Sequence, residues 1–179
     1  MQTNGILHFK PCTVDQINLL HQLAIQSYKE SYTEIWHDEG KAYLERFYKK
    51  STLASELTDS SCTFFLIYQS ETPVGFFKLR ENALPPYDSK VCLELNKIYI
   101  LQEFTGKNIG HQTLVFVMNL AHAKGRSILW LNVMEASKAR KFYERNGFDR
   151  HQQVTLDYPY MKEGLNVLST YKIDLQNFK

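Results

Sequence analysis

The spacing of apolar positions changes period several times along the chain, and each change marks an element. Ile6 to Lys10 is a short apolar run ending at Pro11, which predicts a strand, and Thr13 with Gln16 three residues on has the spacing of a capping box. Within Val14 to Tyr32 the positions Ile17, Leu20, Ala24 and Tyr28 recur at helical intervals, so they share one face of a predicted helix. A second helix is expected over about Glu39 to Lys50, and Ser51 is placed to cap a short third one through Leu57. After Asp59-Ser60-Ser61 the texture turns aromatic and β-branched: CTFFLIYQ, a turn at ETP, then VGFFKLR, which together predict a hairpin. Pro85-Pro86 with Asp88-Ser89 forms a loop, and VCLELNKIYI alternates apolar and polar residues over much of its length as a half-buried strand does.

From Asn108 or Ile109 to Lys124 the stripe Gly110, Leu114, Val117 and Ala121 predicts a helix that Gly125 ends. SILWLNV follows as a strand and Ser137 to Asn146 as a short helix stopped by Gly147. HQQVTLDY and NVLSTYKIDL can then pair around Pro159 as a last antiparallel couple. This order predicts an α+β domain spanning 1–179, with one β-helix-β unit that crosses over to a parallel strand.

Composition excludes several classes. The apolar fraction of 44%, the charged fraction of 22% and a formal charge of +2 are those of an ordinary globular chain and leave no electrostatic footprint for nucleic acid. No apolar run approaches the length of a membrane span, and MQTNGILHFK lacks the charged start and apolar stretch of a secretory leader, so a cytoplasmic protein without membrane partners is expected. Cys12, Cys62 and Cys92 are far apart and form no C-x-x-C pair, so they are read as reduced, buried thiols; the six histidines have no metal-binding spacing, and no metal is expected.

Two stretches carry candidate chemistry. In KIYILQEFTGKNIGHQ, Lys97 to Gln112, an apolar strand runs into a loop with two glycines and on into an amphipathic helix. The unpaired N–H groups of a helix start and its partial positive charge suit a phosphate. The same stretch can equally be an ordinary β-α turn with Gly106 in a left-handed conformation. A P-loop needs glycine where Leu101 stands and Ser or Thr where Asn108 stands, and a dinucleotide G-x-G-x-x-G is absent. The second stretch, LNVMEASKARKFYERNGF, carries F-Y-x-x-x-G-F on a short helix.

The two motifs in this order and at this separation resemble the GCN5-related N-acetyltransferase (GNAT) family, and within it the bacterial spermidine/spermine N-acetyltransferases. PVGFFKL and the helical opening third extend the resemblance over most of the chain. It implies a three-layer fold with a central, mostly antiparallel twisted sheet of about seven strands and helices on both faces. It also implies acetyl-CoA as cofactor, with pantetheine pairing along the strand backbone of Ile98, Tyr99 and Ile100. Pyrophosphate would sit in the loop and first helical turn formed by Thr105, Gly106, Lys107, Asn108, Ile109, Gly110 and His111, with Ser137 and Phe142 nearby on the next helix.

Three positions depart from the family pattern: Thr105 stands where Gln or Arg is usual, Asn108 where glycine is usual, and Ala136 where an asparagine commonly contacts pantetheine, Ser137 replacing it only in part. Asparagine is the non-glycine residue best suited to positive φ, so the loop is expected to keep its shape. An alkylammonium must lose a proton before it attacks a thioester, and the resemblance assigns Glu94 as the base and Tyr143 as the acid that protonates the departing thiolate. The interleaved acids and aromatics between Tyr28 and Glu39 suit a cation, so Tyr28, Tyr32, Trp36 and His37 are expected to line a site for a small polyamine-like amine. The alternatives are a protein or peptide N-acetyltransferase and a non-catalytic acyl-CoA-binding regulator. A monomer or homodimer is expected.

Overall fold

A computed structural model describes residues 6–177. Seven strands form one sheet: β1 (Leu7–Pro11), β2 (Cys62–Gln69), β3 (Thr72–Arg80), β4 (Cys92–Ile100), β5 (Ile128–Met134), β6 (Asp149–Thr155) and β7 (Val167–Asp174). Their spatial order is β1-β2-β3-β4-β5-β7-β6. Only β4 and β5 run parallel, and their crossover is the helix α4 (Ile109–Ala123).

Both faces of the sheet are covered because the central strands are apolar on both sides. On β2, Phe65 and Ile67 join the cluster under α4 and α5 (Ala139–Arg145), with Leu114, Val117, Met118, Tyr143 and Phe148. Phe64 and Leu66 point the other way, to Leu20, Leu23, Ala24, Leu44 and Leu53 of α1 (Ile17–Tyr32), α2 (Lys41–Phe47) and α3 (Lys50–Thr58). The result is helix, sheet, helix.

Most predicted elements lie within a few residues of their observed bounds. Thr13 N donates to Gln16 Oε1 at 3.2 Å, the back-bond of the expected capping box, and a turn of 3-10 helix over Val14–Gln16 precedes α1. The second predicted helix is shorter than expected, and the strand expected over HQQVTLDY ends at Thr155. Leu156 to Asn166 instead forms a loop whose backbone ties it to the segment just after α1: His37 N donates to Tyr160 O at 2.7 Å, and Lys162 N to Ile35 O at 2.9 Å. Cys62 and Cys92 are buried as expected, but Cys12 is only half-buried, because it lies just past the edge strand β1.

The feature that matters most lies within β4. Lys78 pairs with Lys97 but Leu79 pairs with Leu95, so Asn96 is an extra residue in the ladder. Leu93, Leu95, Ile98 and Ile100 all face the α4 side, and the extra residue lets Asn96 and Lys97 both turn to the opposite face. Strand β4 also parts from β5: the parallel pairs stop at Glu94 with Trp130, after which β4 stays with β3 and β5 with β7. A fork opens in the middle of the sheet, and the β4 edge that faces it has no strand partner from Asn96 to Ile100.

Candidate functional site

Two cavities flank the fork, one on each face. On the α4 side lies a groove of about 740 Å3. Ile98, Ile100, Phe104 and Phe142 form its apolar wall, and Thr105, Gly106, Asn108, Ile109, Gly110 and His111 form its rim. Gly106 (φ 73°) and Asn108 (φ 63°) both adopt the left-handed conformation, so asparagine takes the backbone role expected of it. Asn108 is the N-cap of α4 but its side chain makes no capping hydrogen bond. The first internal bond there is Gln112 N to Asn108 O at 3.1 Å, so the preceding N–H groups have no partner within the helix and are available to a ligand.

The charges around the groove agree with that geometry. Its basic lining residues are Lys138 and Arg145, and among the described residues no Asp or Glu lines it. His111 Nδ1 donates to Asn146 Oδ1 at 2.8 Å, which joins the start of α4 to the end of α5. A carbon placed on Gly110 would meet Phe142 Cζ at 3.6 Å and Ile100 Cδ1 at 3.7 Å, so the glycine keeps this wall flat. An open strand edge, free helix amides and a cationic, acid-free rim together fit a long thioester that ends in a diphosphate.

Tyr143 lines the same groove on its inner side and is buried. Burial, and after it the nearby Tyr32 phenol, push its pKa well above the ordinary tyrosine value. Besides Tyr99, whose ring turns to the other face, two expected groove residues stand outside the lining. Lys107 is exposed and lays its amine 4.9 Å from the Phe104 ring centroid, while Ser137 Oγ accepts from Ala139 N at 3.2 Å at the start of α5.

On the opposite face lies a pocket of about 340 Å3. Tyr28, Tyr32 and Trp36 line it, together with Tyr43, Phe47 and Tyr158, which sequence reading did not single out. Trp36 Nε1 donates to Tyr28 OH at 2.9 Å, and Tyr28 stacks on Tyr43 with centroids 4.8 Å apart. Burial is the main cause that raises the pKa of Tyr28, Tyr32 and Tyr43, so these phenols stay neutral. His37 is not part of this wall: it is exposed, and its backbone N–H donates to Tyr160 O. Tyr99 turns its ring to this pocket, so only its backbone belongs to the fork.

Glu94 stands in the pocket wall on β4 and is 4% exposed. Asn82 Nδ2 donates to its Oε2 at 3.1 Å and Asn96 Nδ2 to its Oε1 at 2.8 Å, so both oxygens are oriented but each keeps a lone pair. Sequence reading also missed Glu56, Lys78, Arg80 and Lys97, which share the lining. The adjacent polar pair Asn96-Lys97, which breaks the alternation of β4, was the available signal for the last of them.

The chain matches the family model described as Acetyltransferase (GNAT) family over residues 21–148. An uncharacterised N-acetyltransferase of Methanocaldococcus jannaschii is 25% identical over 70% of this chain, and the match spans 58% of that relative's length. The spermidine N(1)-acetyltransferase of Thermoplasma acidophilum is 25% identical over 79% of this chain and 88% of its own. Among solved structures, the PaiA N-acetyltransferase of Thermoplasma acidophilum in complex with coenzyme A superposes with a TM-score of 0.74 at 22% identity, covering 94% of this chain and 99% of that one.

Proposed function

Because the chain belongs to the GNAT acetyltransferase family, we propose that it is an acetyl-CoA-dependent N-acetyltransferase that acylates a primary amine held in the aromatic pocket. One observation carries the reading. The sheet forks after Glu94 and Trp130, and a groove suited to a diphosphate thioester meets a separate, chemically different pocket across that fork. Acetyl-CoA, when bound, supplies an activated acetyl thioester. The backbone of Ile98 to Ile100 holds the extended arm, and the Thr105 to His111 turn holds the phosphates through main-chain N–H groups.

Each side chain has a stated task. Glu94 takes a proton from the acceptor ammonium, directly or through a water, since an amine with a pKa near 10 is almost wholly protonated at neutral pH. Its two amide donors hold the carboxylate in place without consuming its capacity to accept. Tyr143 keeps its proton on Oη at neutral pH, a state that its raised pKa secures, and is the candidate donor to the departing sulfur. The backbone N–H near Ile100 is the candidate donor to the carbonyl oxygen as charge builds there. No cysteine lines either cavity, which favours direct transfer to the amine over an acyl-enzyme.

The name of the Thermoplasma acidophilum relative and the aromatic wall make a polyamine the first acceptor to test. The experiment is calorimetric titration with acetyl-CoA followed by thiol release over a panel of amines. Binding with amine-dependent thiol release is expected. Binding with no release from any amine supports a regulatory acyl-CoA binder instead, and absence of binding removes the reading.

A further inference from the structure

Resting on that reading, we infer that the acceptor is a primary amine that also carries a carboxylate, and that Lys97 binds the carboxylate. The charges lining the acceptor pocket do not make an acidic cup. Its carboxylates are Glu56 and Glu94, and its cations are Lys78, Arg80 and Lys97.

Four of these five groups are already engaged. Lys78 Nζ donates to Glu56 Oε1 at 2.6 Å, Glu94 accepts from Asn82 and Asn96, and Arg80 faces Asp59 at 3.9 Å. Lys97 differs. Among the described residues no carboxylate lies within ion-pair distance of it, and its amine rests 4.9 Å from the Tyr48 ring centroid. The extra residue in β4 is what turns this amine into the pocket. A half-buried ammonium without an anion is costly, and an incoming carboxylate relieves that cost.

The acids expected to attract a polycation are employed elsewhere. Glu30 accepts from Gln102 N at 2.8 Å, Asp38 accepts from the backbone N–H groups of Gly40 and Ala42, and Glu34 and Glu39 are exposed and outside the lining. A polyamine would bring several positive charges to a wall whose cations already outnumber its anions. An amino carboxylate brings its own counter-charge: the amine lies toward Glu94 and the carboxylate on Lys97. Glu56 Oε2, buried without a partner, accepts a further N–H or O–H of the same ligand.

The titration of Lys97 supports this placement. Burial first and Lys78 second lower its pKa to about 8, against the opposing pull of Glu56 and Glu94. It therefore remains mainly protonated at pH 7, and carboxylate recognition should fade as pH rises past about 8.

The test uses the full chain with acetyl-CoA and matched acceptors: α- and ω-amino carboxylates, their carboxamides, and spermidine. A carboxylate should exceed its own carboxamide in kcat/KM by about tenfold or more. Lys97→Met should bring that ratio to about one, whereas Lys97→Arg, which keeps the charge, should preserve the preference. Calorimetry on the CoA-loaded protein with the N-acetylated carboxylates supplies a readout independent of turnover. Their affinity should fall by about tenfold in Lys97→Met and, in the parent protein, above pH 8. Spermidine as the preferred acceptor, or a carboxylate preference that survives Lys97→Met, overturns the inference. Lys97-dependent binding of the acetylated carboxylates without thiol release from any amine would sink the transferase reading and leave this one standing. Loss of both would sink both.

Discussion

Tyr143 illustrates how burial fixes the protonation state of a side chain. A phenolate in the groove wall would lose its hydration, so the proton stays on Oη far into the alkaline range. Replacing Tyr143 with Phe keeps the ring packed against Phe142 and Phe148 and removes only the hydroxyl. The expected result is a fall in kcat on the order of a hundredfold with acetyl-CoA affinity little changed, measured by thiol release and calorimetry. Unchanged turnover would take the acid role from this residue.

Lys97 supports a prediction about stability as well as recognition. Its pKa in the folded protein is about 8 against an ordinary 10.5, so between those values the unfolded chain binds more protons and stability rises with pH. Below pH 8 both forms are charged and the burial penalty is present in full. Lys97→Met should therefore raise the Tm by a few degrees at pH 7, with the gain shrinking as pH climbs from 8 to 10.5. A Tm that drops equally at every pH would show that the side chain stabilises the fold through its packing, independently of its charge.

At the scale of elements, the extra residue in β4 and the close approach of β3 work together. Gly75 pairs with Ile100, and a carbon added to it would lie 2.2 Å from Tyr99 O and 3.0 Å from Ile100 Cα. The atoms in the way are backbone, so β3 and β4 would have to separate where the candidate cofactor edge lies. Gly75→Ala should cost about 1–3 kcal/mol of stability and weaken acetyl-CoA binding together, as read by denaturant melts and calorimetry. Weakened stability with full affinity would mean that the edge tolerates displacement. Helix α4 shows the complementary arrangement: its N-cap adopts positive φ and withholds its side chain, so the first-turn amides stay free at one end while Leu114, Val117 and Met118 anchor its length.

At the scale of the molecule, the fork opens between β4 and β5 in a sheet whose two faces carry separate apolar clusters, one under α4 and α5 and one under α1 to α3. A ligand lying along the β4 edge and across the N-terminus of α4 would join strand and helix that no strand pairing holds together there. Acetyl-CoA at about a hundred times its Kd should add about 2.7 kcal/mol and raise the Tm by several degrees. No shift under those conditions would mean that the groove does not hold it.

The two covered faces of the sheet were implied by the family resemblance, whereas the apolar periodicities were enough to determine the element order and the loop that leads into α4, because these depend on local spacing along the chain. The F-Y-x-x-x-G-F helix and the glycine-asparagine turn were legible for the same reason. What depended on tertiary structure was which side chains meet. Alternation along a strand assigns faces correctly only while the ladder is regular, and one extra residue at Asn96 moved Lys97 into the aromatic pocket, opposite residues from α1, α2, α3 and the loop before β7. The acids between Glu30 and Glu39 alternate with aromatics in the linear order, but in space they lie outside the pocket that Tyr28, Tyr32 and Trp36 line, with Glu30 and Asp38 accepting from backbone amides. Charge in a pocket is a sum over distant segments, and only the packed chain performs that sum.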